Sequence, residues 1–174
     1  HLTRITQLKK LLAYGKLKQA KEFIDNTIEN EKLVVFANHI EIQKTLHELY
    51  PNALKIDSTT SQVKRQEIVN EYQNNPDQKL IILSLMSCNA GLTLTSASKM
   101  LILEYLWSPL LMSQAQDRIH RIGTKDTVNI YNMIAMDTIE SQEIFPLLME
   151  KLDTITQILD GVEIDSENNM QVSF

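Results

Sequence analysis

Apolar positions alternate between helical and extended spacing in a regular order along the chain. Residues 16–29 (KLKQAKEFIDNTIE) place Leu17, Ala20, Phe23, Ile24 and Ile28 on one helical stripe. LVVFA at 33–37 is a short, continuously apolar run, the form of a strand buried on both faces. Residues 40–50 return to helical spacing through Ile42, Leu46 and Leu49, and Pro51 stops them. ALKI at 53–56 reads as a second strand. Ser61 is placed to cap a helix over 62–75, with Ile68, Val69 and Tyr72 inward and Asn74-Asn75-Pro76 ending it.

The second half repeats the alternation. KLIILSL at 79–85, KMLILEY at 99–105 and TVNIYNMIA at 127–135 are strand-like. Ser108-Pro109 has the form of an N-cap and first helical residue, opening a helix to about Arg121. Thr138 opens a last helix, bent near Pro146 and ended before Gly161. Strands alternating with helices of this length predict an α/β fold: a parallel sheet with helices on both faces, in three layers. Such sheets carry functional groups in the loops beyond the strand C-termini, here beginning near Asn38, Ser58, Ser87 and Leu106.

Composition narrows the picture. The chain has 174 residues, 43% hydrophobic and 22% charged, which suits one globular domain and excludes a mainly disordered or fibrous chain. Residues 1–25 carry six bases and two acids, whereas 137–174 carry one base and nine acids. The net charge of −5 argues against a protein that coats nucleic acid indiscriminately, yet it permits a local basic groove. Residues 161–174 read as a flexible acidic tail after a domain spanning 1–160, within which 1–30 form leading helices. The start at His1 suggests a piece of a longer protein. Apolar runs are only strand-sized, so neither a membrane span nor a leader is expected, and the chain is expected to be intracellular.

Most common catalytic signatures are missing. Gly15-Lys16 is followed by Leu17 and lacks the earlier glycine of a phosphate loop; with four glycines there is no G-x-G-x-x-G fingerprint. No Asp-Glu dipeptide is present to hold magnesium. The four histidines and the single Cys88 show no metal-ligand spacing, so no metal site is expected.

The positive signal is QAQDRIHRIG at 114–123. On a helix Gln114, Asp117, Arg118 and Arg121 form one polar stripe, opposite Ala115, Ile119 and Ile122. Two guanidiniums one turn apart suit a polyphosphate, because their planar forks pair bidentately with its oxygens. Spacing alone leaves open an exposed helix on which Gln114 and Asp117 merely pair with the arginines.

QAQDRIHRIG closely resembles motif VI of the Swi/Snf-like superfamily-two helicase ATPases, Q-A-x-D-R-x-H-R-I-G. KLVVFANHIEIQKTL at 32–46 resembles the motif IV strand and helix, and KIDSTTSQVKRQEIVNEYQ at 55–73 the block after it. SLMSCNAGLTLTSAS at 84–98 resembles motif V, and LILEYLWSP at 101–109 the E-x-x-W-N-P segment. All stand in the family's order, across roughly residues 15–160. Motif V and the ending IFPLLMEKL at 144–152 look like the annealing-helicase branch. Ser58 and Ser108 depart from the usual glycine and asparagine, both in loops.

The resemblance implies the second RecA-like lobe of a two-lobe DNA translocase or annealing helicase. It implies ATP and Mg²⁺, held mainly by a first RecA-like lobe of the same protein, and double-stranded or branched DNA as partner. Arg121 matches the arginine finger and Arg118 its phosphate-facing companion; Gln114 and Gly91 would also meet the nucleotide. Asn38, His39, Thr59, Arg65, Asn89, Thr93, Thr95 and Trp107 are the candidate DNA contacts, since hydroxyls, amides and exposed N–H groups suit phosphate oxygens. Two rivals stay open: a non-catalytic DNA- or protein-binding domain that kept the fold, and an RNA helicase second lobe. The latter would more naturally carry Q-R-x-G-R-x-x-R.

Overall fold

The computed structural model describes residues 2–84, 87, 92, 94–105 and 129–160. Helix α1 (Leu2–Ile28) leads into strand β1 (Leu33–Phe36), then helix α2 (Ile40–Leu49), β2 (Leu54–Ile56) and helix α3 (Gln62–Asn74). Strands β3 (Leu80–Leu83), β4 (Lys99–Ile102) and β5 (Asn129–Asn132) follow. A π-helical turn, Glu140–Ile144, runs into helix α4 (Phe145–Asp160). The expected helix at 108–121 lies outside the described residues.

Among the described residues five strands form one parallel sheet, in the order β2-β3-β1-β4-β5. β1 is central, pairing Val34 with Ile81 on one side and Met100 on the other. Its four residues are all fully buried, which is why LVVF shows no polar alternation. Leu33 and Val35 face α1 and α2, joining Ala20, Ile24, Ile42 and Leu46. Val34 and Phe36 face the other way, toward Val69 and Tyr72 of α3 and Leu148 of α4. The three-layer α/β/α arrangement is therefore the one the pattern predicts.

Local signals act where expected. The Ser61 hydroxyl accepts the Lys64 N–H at 3.3 Å, capping α3. The first helix differs from the expectation, since it is a single element that begins at Leu2 rather than near residue 16. Gly15 does not interrupt it: nothing approaches within 4 Å of where a Cβ would stand, and the buried stripe Ala13, Lys16, Ala20 and Ile24 runs through it. A helical glycine costs only about 1 kcal/mol, too little to break a helix packed on both sides of it. The irregularity near Pro146 is a π-helical turn just before it, in which the Phe145 N–H reaches the Glu140 carbonyl. Proline has no N–H and its ring crowds the carbonyl four residues back; a wider turn ahead of it relieves that crowding, and Pro146 sits at the second position of α4.

Candidate functional site

The strand order puts a crevice at the C-terminal edge of the sheet between β1 and β4. From β1 the chain turns toward β2, and from β4 it passes to β5 on the other side. Crevices at such reversals are where open parallel sheets hold ligands. Asn38 and His39 lie on one lip and Glu104 on the other.

Glu104, 5% exposed, joins the two lips. Its Oε2 accepts the backbone N–H groups of Asn38 at 2.7 Å and His39 at 3.0 Å. Its Oε1 contacts His39 Nδ1 closely, and its backbone carbonyl accepts from Asn38 Nδ2 at 3.2 Å. His39 is the N-cap of α2 but makes no side-chain cap bond. The carboxylate thus places a negative charge beside the positive end of α2, where it is favoured. Ser84, just past β3, reaches Asn38 Oδ1 at 3.5 Å, so Asn38 links the ends of three neighbouring strands.

The β2–α3 loop occupies the same edge, two strands from β1 and thus roughly 10 Å along the sheet. Here Asp57 Oδ1 accepts the Thr59 N–H at 2.9 Å and the Thr59 hydroxyl at 2.6 Å. These bonds, with Lys55 Nζ 3.2 Å away, lower the Asp57 pKa to about 2, against the opposing effect of partial burial. Arg65 folds back on the loop: Nε donates to the Thr60 carbonyl at 2.8 Å and Nη2 to the Asp57 carbonyl at 3.2 Å. Thr59 remains exposed and Arg65 half-buried.

Asn38, His39, Thr59 and Arg65 are therefore brought to one edge, and Thr95 is not among them. Thr95 Oγ1 accepts from Gln73 Nε2 at 3.2 Å, and Gln73 Oε1 accepts the Ser96 N–H at 2.8 Å. Gln73 stands in the last turn of α3, which runs back along the sheet, so Thr95 lies at the N-terminal edge, ahead of β4. Asn89, Gly91, Thr93, Trp107, Gln114, Arg118 and Arg121 lie outside the described residues.

Sequence reasoning passed over Glu104 and a buried ion pair between Lys16 and Glu140. Lys16 Nζ stands 2.7 and 2.9 Å from the two Glu140 oxygens, and both residues are 5% exposed. The available signal was a charge where the pattern calls for an apolar residue: Glu104 closes an apolar strand run, and Lys16 falls on the buried stripe of α1. Among the described residues, no group of three or more His, Cys, Asp or Glu could hold a metal, and no helix is long and apolar enough to cross a membrane.

The family model for the helicase conserved C-terminal domain matches residues 15–123. The chain belongs to this family. That span takes in β1 to β4 and the QAQDRIHRIG stretch, while β5 and α4 of this helicase domain lie beyond it. Among curated proteins, the domain is 32% identical over 163 residues to the DNA annealing helicase and endonuclease ZRANB3 of Mus musculus, which covers 90% of the chain and 15% of that protein. It is also 32% identical over 151 residues to a SWI/SNF-related, matrix-associated, actin-dependent regulator of chromatin (subfamily A-like protein 1) of Xenopus laevis, covering 83% of the chain and 16% of that protein. The chain thus spans about one sixth of these relatives. Among solved structures, the SWI2/SNF2 ATPase core of Sulfolobus solfataricus in complex with double-stranded DNA aligns with a TM-score of 0.69 at 25% identity, over 92% of this chain and 37% of that one. The C-terminal part of the Fun30 ATPase domain shares the fold, with a TM-score of 0.71 at 24% identity over 86% of this chain and 55% of that one. The RecA-like fold and the place of this helicase domain as a second, C-terminal lobe of the Swi/Snf type follow.

Proposed function

We propose that this lobe serves an ATP-dependent DNA translocase or annealing helicase, working against a first RecA-like lobe of the same protein on double-stranded or branched DNA inside the cell. The observation that carries the reading is the C-terminal edge of the sheet. It gathers Asn38, His39, Thr59 and Arg65 beside Tyr105, from which the chain enters the stretch bearing QAQDRIHRIG. The Asn38 amide, the Thr59 hydroxyl and the Arg65 guanidinium are group types that fit phosphate oxygens, while the two carboxylates at this edge, Glu104 and Asp57, are already bonded to backbone and hydroxyl donors.

In this reading the first lobe holds most of the ATP and the Mg²⁺, and the present lobe closes on the nucleotide. Arg121 neutralises charge that builds on the γ-phosphoryl group as water attacks, Arg118 pairs with phosphate oxygens, and Gln114 and Gly91 meet the nucleotide edge. Asn38, His39, Thr59, Arg65, Asn89, Thr93 and Trp107 track the DNA backbone, without sequence information. Without the first lobe this chain hydrolyses no ATP.

The test is Arg121→Ala and Arg121→Lys in the full-length enzyme. The expected loss in kcat is roughly 10³–10⁵-fold, about 4–7 kcal/mol of barrier, with little change in DNA affinity or melting temperature. Lysine rescues poorly, because a point charge does not reproduce the planar fork. Near-normal kcat with a large drop in melting temperature would make Arg121 a structural ion-pair partner and overturn the assignment.

A further inference from the structure

Glu104 leaves His39 with one ring nitrogen to use. An ionised carboxylate only accepts hydrogen bonds, so Nδ1, in contact with Glu104 Oε1, is the nitrogen that carries a hydrogen. The same carboxylate accepts the His39 backbone N–H at 3.0 Å, which holds the residue at both its root and its ring. Nε2 has no hydrogen-bond partner among the described residues and is not closed off from solvent. The His39 side chain keeps 20% of its surface exposed, against 5% for Glu104, and it stands at the N-terminus of α2 on one lip of the crevice.

With Nδ1–H committed, the state of Nε2 decides what the ring can bind. A neutral ring offers a lone pair there, which repels a phosphate oxygen; a protonated ring offers a charge-assisted N–H donor. Charges bear on that choice from several elements. Past β4, Glu104 touches the ring directly. On α2, Glu41 is held below the usual carboxylate range by its 2.6 Å hydrogen bond to Lys10, and the charge of His39 adds to that effect. On α1, Lys9 and Lys16 act on Glu104 through space, but Lys9 donates to the Tyr105 carbonyl at 3.0 Å and Lys16 is bound to Glu140 of the π-helical turn at 2.7 Å. The charge nearest the ring is therefore a buried carboxylate, which solvent ions screen least.

We propose that His39 and Glu104 form a proton-linked phosphate contact: the lobe takes up a proton at His39 Nε2 as that nitrogen donates to a DNA phosphate oxygen, while Glu104 holds Nδ1–H. His39 is the contact and Glu104 its positioning residue. The inference rests on the DNA-facing reading of His39 and adds to it a dependence on pH. Histidine is the side chain that ordinarily changes charge between about pH 5 and 8. Proton and phosphate then favour each other reciprocally, by the same factor. Raising the pH removes the Nε2 donor and turns a lone pair toward the phosphate.

The experiment measures binding of a DNA duplex by the full-length enzyme, without nucleotide and at fixed ionic strength, from about pH 6 to about pH 8.5. Wild type is expected to bind about tenfold more weakly at the upper end. Calorimetry in buffers of different ionisation enthalpy should show net proton uptake on binding. His39→Asn keeps a good helix cap but cannot titrate; it should bind about tenfold more weakly than wild type near pH 6 and match it near pH 8.5. His39→Lys should stay tight across the range. Glu104→Gln keeps an acceptor for the N–H groups but loses the charge that favours a protonated ring, so the fall in affinity should move to lower pH. If His39→Asn loses the same factor at every pH and wild type takes up no proton, the linkage is overturned while the DNA contact stands. If His39→Asn keeps both the affinity and the pH dependence of wild type, the DNA-facing reading of His39 falls and the inference with it. Should Glu104→Gln fail to fold, the two His39 variants decide the matter.

Discussion

Glu104 accepts the backbone N–H of Asn38 at 2.7 Å, joining two residues 66 positions apart. One buried carboxylate thereby sets the distance between the ends of β1 and β4, the two lips of the crevice. Because it also binds His39, it aims the loop whose amide and imidazole are candidates for DNA contact.

Removing that carboxylate should loosen both lips. Glu104→Ala leaves the Asn38 and His39 N–H groups without their charged acceptor, a loss of about 2–4 kcal/mol. For a domain of this size that is roughly 5–12 °C in melting temperature. Glu104→Gln retains an acceptor and should lose about half as much. Denaturant unfolding of the two variants measures both, and a loss below about 1 kcal/mol for the alanine variant would show that the loop holds itself.

Acid should find the β2–α3 loop. Asp57 is ionised in the folded chain down to about pH 2, whereas an unfolded Asp titrates near 3.9. The folded pKa is the lower one, so its stabilising contribution is complete above about pH 4 and is lost as pH falls through about 2. Thr59→Ala removes the hydroxyl that contributes most to the shift, and the Asp57 titration by NMR should move up toward the ordinary carboxylate value. An unchanged midpoint would assign the shift to the backbone N–H of residue 59 and to Lys55 instead.

Tyr72 offers a substitution that should not hurt. It is fully buried, and its hydroxyl has no hydrogen-bond partner among the described residues, so burial drives its pKa upward. Its ring faces Lys32 Nζ at 4.9 Å, a contact phenylalanine keeps. Tyr72→Phe is expected to be neutral or to stabilise by up to about 1 kcal/mol, because the unpaired hydroxyl costs more than it returns. A loss greater than about 1 kcal/mol in chemical unfolding would reveal a partner for the hydroxyl.

Thr95 separates packing from DNA contact. Its hydroxyl is engaged with Gln73 at the N-terminal edge of the sheet. Thr95→Val in the full-length enzyme should cost about 1 kcal/mol of stability and leave DNA affinity within about twofold. A tenfold weaker complex, measured at fixed salt, would return Thr95 to the DNA-facing set.

The alternation of strands and helices, the Ser61 cap and the resemblance carried by QAQDRIHRIG are properties of neighbouring residues, and the sequence alone determined them. Burial of β1 on both faces was equally legible, since a strand covered on both sides has no polar alternation to preserve. The order β2-β3-β1-β4-β5 was not legible, because strand neighbours are chosen by side-chain packing across the sheet and leave no periodic trace along the chain. The same reason hid the partners of Glu104 and Lys16, whose contacts span 66 and 124 positions. It also hid the inward turn of Arg65 and the location of Thr95, two polar residues whose types suit phosphate. Only the tertiary structure decided that Arg65 bonds two carbonyls of its own loop, and that Thr95 lies across the sheet from Asn38. Residue type specifies what a side chain can bind, but the folded chain decides which partner comes within reach.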